Sequence, residues 1–206
     1  MGIKIAILLS GSGTTFQNIM DCCASGDIDG EVVCVYASRG DAYGLTRAEN
    51  AGIPNGAVPR KEFGSVDDFS EAIWKAVDPH EPDLVVLAGF MSLLHVPDRH
   101  RGKIMNVHPA LIPSFCGKGM YGSHVHSAVL DYGAKLTGVT VHFVNEEYDN
   151  GPIIMQGIVP VEEGDTPDTL AERVQAEERA LYPKAIQLFA QNRLRIEGRI
   201  VHIDPE

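Results

Sequence analysis

Apolar runs of strand length, separated by stretches long enough for helices, constrain the fold of this chain most. The first four runs are Ile3 to Leu9, Val32 to Tyr36, Leu84 to Ala88 and Ile104 to Val107. Runs without polar alternation are typical of parallel strands that helices cover on both faces. The sequence therefore predicts an α/β fold with a Rossmann-like, doubly wound and mostly parallel sheet. Ligands bind beyond the carboxyl ends of such strands, so the residues that follow each run are the first candidates for a site.

The last third of the chain follows a different pattern. An apolar run from Val139 to Val144 precedes the turn residues Asp149-Asn150-Gly151-Pro152, and a second run begins at Ile153. An Asn-Gly pair between two strands predicts that they are antiparallel. The pair Thr166-Pro167 is typical of a helix start, and the helix that it begins is expected to continue to about Ala190.

Composition and charge exclude several classes of partner. The chain has 28 acidic and 17 basic side chains and a formal net charge of -11, so it lacks the charge for a broad nucleic-acid-binding surface. An anionic membrane is disfavoured for the same reason. We therefore expect no nucleic acid and no membrane among its partners.

Length and cysteine pattern indicate the organisation and the compartment. A chain of 206 residues is expected to form one domain, here spanning residues 1–206. Either a monomer or a homodimer is expected. The apolar run near the start is too short for a signal peptide core or a membrane span. The four cysteines include no CxxC pair and are typical of reduced thiols, so a cytoplasmic location is expected.

A glycine-rich segment, Ser10-Gly11-Ser12-Gly13-Thr14-Thr15, connects the first strand to the first helix. Backbone N–H groups and the positive end of a helix dipole make such a segment a phosphate site. The glycines can also simply close a tight turn. A dinucleotide site is a third interpretation, because Arg39 after the second strand can meet a 2′-phosphate, although Phe16 replaces the last glycine of that fingerprint.

A second polar group, Asn106-Val107-His108-Pro109, follows the fourth apolar run. Asn106 and His108 alternate along a strand, so they point to the same side and bring an amide donor beside a titratable imidazole. The alternative is a buried pair that satisfies backbone groups. Asp149 alone is typical of a turn, but a position close to His108 would let its carboxylate stabilise the charged imidazole.

Two metal-like patterns are incomplete. His124-Val125-His126 has no third ligand at a suitable spacing for zinc. The segment Asp27-Ile28-Asp29-Gly30 has its glycine too early for a calcium loop, and Ser38 stands where the closing glutamate would be. No metal site is therefore expected.

Together, in this order and spacing, these segments resemble the folate-dependent glycinamide ribonucleotide formyltransferase family. The resemblance continues through Leu87-Ala88-Gly89-Phe90-Met91, Gly138-Val139-Thr140-Val141-His142-Phe143 and Arg173-Val174-Gln175, and it covers nearly the whole chain. It implies the formyltransferase fold and transfer of the formyl group of 10-formyltetrahydrofolate to the amine of glycinamide ribonucleotide in de novo purine biosynthesis. By the same resemblance formyl-folate is a co-substrate and no metal is needed.

The resemblance also implies roles for individual residues. The amine attacks the formyl carbon, the oxyanion is stabilised by Asn106 and His108, and Asp149 keeps His108 protonated and assists proton transfer. The ribonucleotide phosphate is expected on Gly13, Thr14 and Thr15, and its ribose on Gln175 and Glu178. The residues expected to bind the folate are Phe90, Met91, Ser92, Leu93, Leu94, Asn106, Val144 and Asn145.

Departures from the family pattern leave two questions open. Val66 stands where many members have an arginine that contacts the glutamate tail of the folate, so Arg60 or Lys61 is a candidate substitute. The segment from Cys116 to Gly122, which includes Lys118, is longer than the corresponding loop of many members.

Three rival functions are weaker interpretations of the same residues. A 10-formyltetrahydrofolate hydrolase or a methionyl-tRNA formyltransferase would share the Asn, His and Asp, but each is expected to carry an extra domain for which this length leaves no room. A non-catalytic or NADP-type nucleotide-binding protein would need only the glycine-rich segment.

Overall fold

The computed structural model describes residues 2–205, and Met1 and Glu206 lie outside the described residues. The chain divides into two compact units, with the boundary between Met105 and Asn106. The expectation of one domain over residues 1–206 stays a prediction.

The strands of the first unit form a parallel sheet. They are β1 (Ile3–Leu9), β2 (Gly30–Ala37), β3 (Asn55–Ala57) and β4 (Leu84–Leu87). Their order is β3-β2-β1-β4, and all three pairings are parallel. The predicted parallel sheet is therefore confirmed for this unit. The next strand along the chain, β5 (Ile104–His108), begins with the last two residues of the first unit and continues into the second.

Helices cover this sheet because its central strand has no polar face. Within β1 every residue from Ile5 to Leu9 is buried. The helices are α1 (Thr14–Ser25), α2 (Tyr43–Asn50) and α3 (Val66–Val77). Phe16 of α1 and Phe69 of α3 are fully buried, and both helices pack against β2. Burial of large apolar side chains of this kind is the main favourable contribution to folding.

The second unit is a mixed structure. After β5 its elements are α4 (Ser123–Tyr132), β6 (Leu136–Phe143), β7 (Ile153–Pro160), α5 (Pro167–Ala190), β8 (Leu194–Glu197) and β9 (Ile200–Ile203). The predicted antiparallel pair is confirmed as β6 and β7, with Thr140 opposite Gln156. Helix α5 begins and ends where the sequence predicts, and it packs against both strands and α4.

Two features of this unit differ from the expectation. The connection between β6 and β7 is a loop over residues 144–152 rather than a tight Asn-Gly turn, and a bond from the N–H of Phe143 to the carbonyl of Pro152 closes it at 2.9 Å. The hairpin of β8 and β9 was not predicted, because its strands are only four residues each and mostly exposed. Within residues 2–205, none of the helices is long and apolar enough to cross a bilayer.

Candidate active site

Asp149 lies beside both polar residues of β5. Its Oδ1 is 3.5 Å from Nδ2 of Asn106, and its Oδ2 is 3.5 Å from Nδ1 of His108. The side chains of His108 and Asp149 are only 4% and 11% exposed, so little water competes for this contact. The structure thus brings together the three residues that the sequence singled out, each from the second unit.

His108 has an acceptor at each ring nitrogen. Nε2 is 2.8 Å from the carbonyl oxygen of Phe115, which can only accept, while Nδ1 faces the Asp149 carboxylate. An imidazole that meets two acceptors is satisfied best when both nitrogens carry protons. Nε2 of His108 therefore carries a proton, and Nδ1 is the ring nitrogen that faces Asp149.

A neighbouring histidine orients the amide of Asn106. Nδ1 of His142 is 2.8 Å from the carbonyl oxygen of Phe143, so it carries the proton, and Nε2 is left to accept from Nδ2 of Asn106 at 3.1 Å. Burial lowers the pKa of His142, which keeps it neutral, against the opposing effect of its hydrogen bond to Phe143 and of Asp149. Nε2 of His142 and Oδ1 of Asp149 both accept hydrogen bonds. The Asn106 side chain is therefore oriented with its NH2 group, and not its carbonyl oxygen, towards them.

The loop after β5 fixes Asp149 from the other side. The backbone N–H of Gly117 donates to Oδ2 of Asp149 at 2.9 Å. Asp149 itself has a φ of +51°, a left-handed conformation that Asp and Asn tolerate better than most residues. Burial, helped by the charge of Asp149, raises the pKa of the Cys116 thiol, which therefore stays protonated near neutral pH.

In the first unit, the glycine-rich segment leads directly into α1. Gly13 is the residue before the helix, has a φ of +72°, and provides no side-chain cap for the first helical N–H groups. Its Cα–H faces Gly44 so closely that an added Cβ would lie 2.7 Å from the Cα of Gly44. The segment is also held by α2, because the N–H of Gly44 donates to Gly11 and Nε of Arg47 donates to the carbonyl of Ser12, at 3.1 and 2.9 Å.

This arrangement leaves the start of α1 open to a ligand. The side chain of Thr14 is exposed and that of Thr15 half-buried. Gly13 supplies no side-chain cap to this 12-residue helix, and the N-terminus of a helix suits an anion. The geometry is therefore compatible with the predicted phosphate site on Gly13, Thr14 and Thr15.

The predicted folate segment, residues 90–94, follows β4 in the same unit. Met91 is exposed, Leu94 is buried, and Phe90, Ser92 and Leu93 are half-buried. The buried hydroxyl of Ser10 links this segment to the glycine-rich segment: it accepts from the N–H of Met91 at 3.0 Å and lies 2.6 Å from Oγ of Ser38. Sequence reasoning gave Ser10 no role of its own.

The other predicted ligand residues lie in the second unit. Gln175 is exposed and Glu178 half-buried, and their spacing of three residues brings them to one side of α5. Val144 and Asn145 begin the loop after β6, where Oδ1 of Asn145 accepts from the N–H of Glu147 at 3.1 Å. Their roles stay predictions.

The histidine pair dismissed as a metal site lies at the start of α4. His124 is exposed, whereas His126 is buried, and its Nδ1 has no hydrogen-bond partner in the described part of the chain. Burial, followed by the charge of His108, lowers the pKa of His126. Within residues 2–205 no three His, Cys, Asp or Glu side chains are grouped so that they could hold a metal ion.

The sequence did not assign roles to three groups that shape this site. They are His142, the carbonyl of Phe115 and the N–H of Gly117. His142 lies on a strand that the sequence predicted, so its position near the end of that strand was a signal that it could reach the site. The two backbone groups carry no residue-type signal at all.

The sequence matches the formyl transferase family over residues 3–186. It is 39% identical over 203 residues to the phosphoribosylglycinamide formyltransferase of Haemophilus influenzae, covering 98% of this chain and 93% of the relative. The enzyme of the same name from Escherichia coli is 37% identical over 204 residues, with 98% and 94% covered.

The fold is also similar to a solved structure. The crystal structure of glycinamide ribonucleotide transformylase 1 from Symbiobacterium toebii has a TM-score of 0.92 and 43% sequence identity, covering 99% of this chain and 95% of that one. Sequence and structure agree over nearly the whole chain, and on these grounds the chain belongs to the formyl transferase family.

Proposed function

We propose that this protein transfers the formyl group of 10-formyltetrahydrofolate to the amine of glycinamide ribonucleotide, which is a step of de novo purine biosynthesis. The names of its full-length relatives support this activity. The single observation that carries the proposal is the placement of the Asp149 carboxylate 3.5 Å from both Asn106 and His108.

The reaction needs hydrogen-bond donors where charge develops. When the amine nitrogen attacks the formyl carbon, a carbon–nitrogen bond forms and the formyl oxygen becomes an oxyanion. The amide of Asn106 and the imidazolium of His108 are the donors for this oxygen. Both groups already face one anion, the carboxylate of Asp149. Both contacts to Asp149 are long, so neither donor is tightly committed to it.

The proton must then move from the attacking amine to N10 of the folate as the bond between N10 and the formyl carbon breaks. Asp149 is the group for this task, because it is a carboxylate held beside the imidazolium by the N–H of Gly117. Its negative charge also stabilises the charge of His108. No covalent bond between the protein and the formyl group is required.

The ligands are assigned to the residues that the sequence indicated. Gly13, Thr14 and Thr15 at the start of α1 take the phosphate of the ribonucleotide, and Gln175 and Glu178 take its ribose. Formyl-folate is bound by Phe90, Met91, Ser92, Leu93 and Leu94, together with Asn106, Val144 and Asn145. We further propose that the protein acts in the cytoplasm as a monomer or homodimer, without a metal, a nucleic acid or a membrane as partner.

The test is an assay with purified protein, 10-formyltetrahydrofolate and glycinamide ribonucleotide, in which the absorbance of the deformylated folate is followed. The expected result is folate product that forms only when the ribonucleotide is present, together with formylated ribonucleotide detected by mass spectrometry. Deformylation without the ribonucleotide would instead indicate a hydrolase. No product under either condition would overturn the proposal in favour of a non-catalytic binding protein.

A further inference from the structure

Arg47 of α2 contacts the glycine-rich segment, and the proposed function as stated so far gives it no role. Its Nε donates to the carbonyl oxygen of Ser12 at 2.9 Å, and its Nη1 donates to Oε1 of Gln17 at 3.1 Å. The guanidinium also lies 5.2 Å from the centre of the Tyr43 ring. Two hydrogen bonds and a cation–π contact order a planar guanidinium. The end of the Arg47 side chain is therefore fixed against the segment that leads into α1.

The contacts from α2 determine which way two peptide groups of the segment point. The N–H of Gly44 donates to the carbonyl oxygen of Gly11 at 3.1 Å, as Arg47 does to that of Ser12. In a planar trans peptide the carbonyl and the N–H point in opposite directions. The N–H groups of Ser12 and Gly13, which belong to these two peptides, therefore point away from α2. Neither of them donates a hydrogen bond to another group of residues 2–205.

The peptide between Ser12 and Gly13 depends on such a contact, because glycine does not resist its rotation. Gly13 has a φ of +72°, and a residue without Cβ populates positive and negative φ about equally. Rotation of this peptide would turn the carbonyl of Ser12 to the side where the N–H of Gly13 now points. A carbonyl oxygen on that side repels a phosphate, whereas an N–H attracts it. The hydrogen bond from Nε of Arg47 opposes this rotation.

Arg47 also brings positive charge to this segment of a chain whose net charge is -11. Neither of its hydrogen-bond acceptors is a carboxylate, and it forms no ion pair within residues 2–205. Charge and hydrogen bonding can be separated by substitution. A lysine at position 47 keeps the charge but has a CH2 group where arginine has the N–H of Nε.

We propose that Arg47 is a positioning residue for the phosphate of glycinamide ribonucleotide, an inference that rests on the proposed function. By holding the carbonyl of Ser12, Arg47 keeps the N–H of Gly13 directed at the phosphate that Gly13, Thr14 and Thr15 bind. Arg47 thus acts on the ligand through the main chain. Its effect belongs to the phosphate alone, so it should disappear with a substrate that has no phosphate.

The test compares glycinamide ribonucleotide with glycinamide ribonucleoside, which is the same molecule without the phosphate. KM and kcat for the ribonucleotide, and kcat/KM for the ribonucleoside, are measured with the unaltered protein, with Arg47→Lys and with Arg47→Met. Arg101→Lys is the matched control, because Arg101 is exposed, belongs to the same unit and is not among the proposed ligand residues. Thermal unfolding checks that each variant is folded, and Arg47→Lys carries the test if Arg47→Met is unstable.

Both variants of Arg47 are expected to raise KM for the ribonucleotide about tenfold or more, the usual effect of losing a hydrogen bond that serves a charged group. The kcat for the ribonucleotide, KM for formyl-folate and kcat/KM for the ribonucleoside should stay within about threefold of the unaltered values. Arg101→Lys should change none of these constants.

Two results would overturn the positioning role while the proposed function stands. An equal loss of kcat/KM for the ribonucleotide and the ribonucleoside would mean that Arg47 only stabilises the packing of α1 and α2. An unchanged KM for the ribonucleotide in Arg47→Lys would mean that the charge of Arg47 is sufficient and that the hydrogen bond to Ser12 contributes nothing.

Calorimetric binding of ribose 5-phosphate separates this proposal from the proposed function. If the unaltered protein formylates neither substrate, the proposed function fails. The positioning role then stands if ribose 5-phosphate binds the unaltered protein and Arg47→Lys weakens that binding about tenfold. In the same case, the absence of binding, or equal binding by the two proteins, overturns the positioning role as well.

Discussion

The carboxylate of Asp149 lies 3.5 Å from Nδ1 of His108, and both side chains are almost fully buried. Each partner is held separately by a backbone group of the same loop: Phe115 accepts from His108, and Gly117 donates to Asp149. A buried opposite charge at this distance stabilises the imidazolium much more than it would in water. The charge of Asp149 is therefore expected to support the proton of His108 during the reaction.

Removal of that charge should slow the chemical step. Asp149→Asn keeps the size of the side chain but leaves no anion beside His108 and no acceptor for the proton in transit. We expect kcat to fall by about 100-fold or more, with KM for both ligands changed little. Steady-state kinetics with each ligand varied in turn provides the measurement.

Asp131→Asn is the control for this variant. It removes the same negative charge, but at an exposed position on α4. It should retain the kcat of the unaltered protein. A kcat for Asp149→Asn within threefold of that value would contradict the role given to Asp149.

Loss of the Asn106 amide should remove one donor to the oxyanion. Asn106→Ala is expected to reduce kcat by about 100- to 1,000-fold, since this is the usual effect of deleting one such donor. The fold should persist, because Asn106 is only half-buried. Asn50→Ala at the exposed end of α2 is the control, and a near-normal rate for Asn106→Ala would show that another group stabilises the oxyanion.

The glycine-rich segment offers a matched pair of substitutions. Gly13→Ala places a methyl group 2.7 Å from Gly44 at a residue with a φ of +72°, whereas the same change at Gly11 meets nothing within 4 Å. The left-handed conformation alone costs a non-glycine residue about 1 to 2 kcal/mol. We therefore expect Gly13→Ala to lower the melting temperature and to raise KM for glycinamide ribonucleotide at least about tenfold, by displacing the N–H groups that we propose as the phosphate site.

The readout that makes this pair specific is KM for formyl-folate, which Gly13→Ala should leave nearly unchanged. Equal effects of Gly11→Ala and Gly13→Ala on KM for the ribonucleotide would argue against backbone geometry as the cause.

A pH dependence of stability is expected from Asp165, at the start of α5. Hydrogen bonds from Arg173, from the N–H of Glu162 and from Thr169 lower the pKa of Asp165 from its ordinary 3.8 to about 2. Because the folded state lowers this pKa, the carboxylate stabilises the fold above pH 3.8, and this contribution is lost as the pH falls towards 2.

Asp165→Asn should therefore melt at a lower temperature than the unaltered protein at pH 6, and the difference should shrink between pH 4 and pH 2. Melting curves over this range provide the check, with Glu163→Gln as an exposed control from the same loop. A difference that stays constant with pH would mean that the charge of Asp165 does not contribute.

Much of the fold could be predicted because its signals are long and local. The apolar run of β1 and the Thr166-Pro167 start of α5 each determine their element without help from distant residues. The β8–β9 hairpin has no such signal, since Leu194–Glu197 and Ile200–Ile203 are short and largely exposed. Their place beside β7 depends on pairing across the sheet, where Ile153 meets Ile200.

The candidate site, like the fold, could be predicted where its signals are local and not where they depend on distant parts of the chain. Asn106 and His108 could be placed side by side, since strand alternation is local, but the approach of Asp149 depends on the conformation of the loop over residues 144–152. The backbone partners at Phe115 and Gly117 could not be predicted, because main-chain groups are the same in every residue and only the folded loop directs them.

The left-handed main chain at Asp149, with its φ of +51°, limits which substitutions can be interpreted there. Aspartate and asparagine adopt this conformation readily, whereas alanine or glutamate would add about 1 kcal/mol of local strain and move the loop as well. Glycine also adopts this conformation but removes the whole side chain, so asparagine is the replacement that changes the charge while preserving both the path of the chain and the shape of the side chain. An enzyme engineer who screens every amino acid at position 149 would therefore measure loop distortion in most variants, and the loss of charge by itself in the asparagine variant.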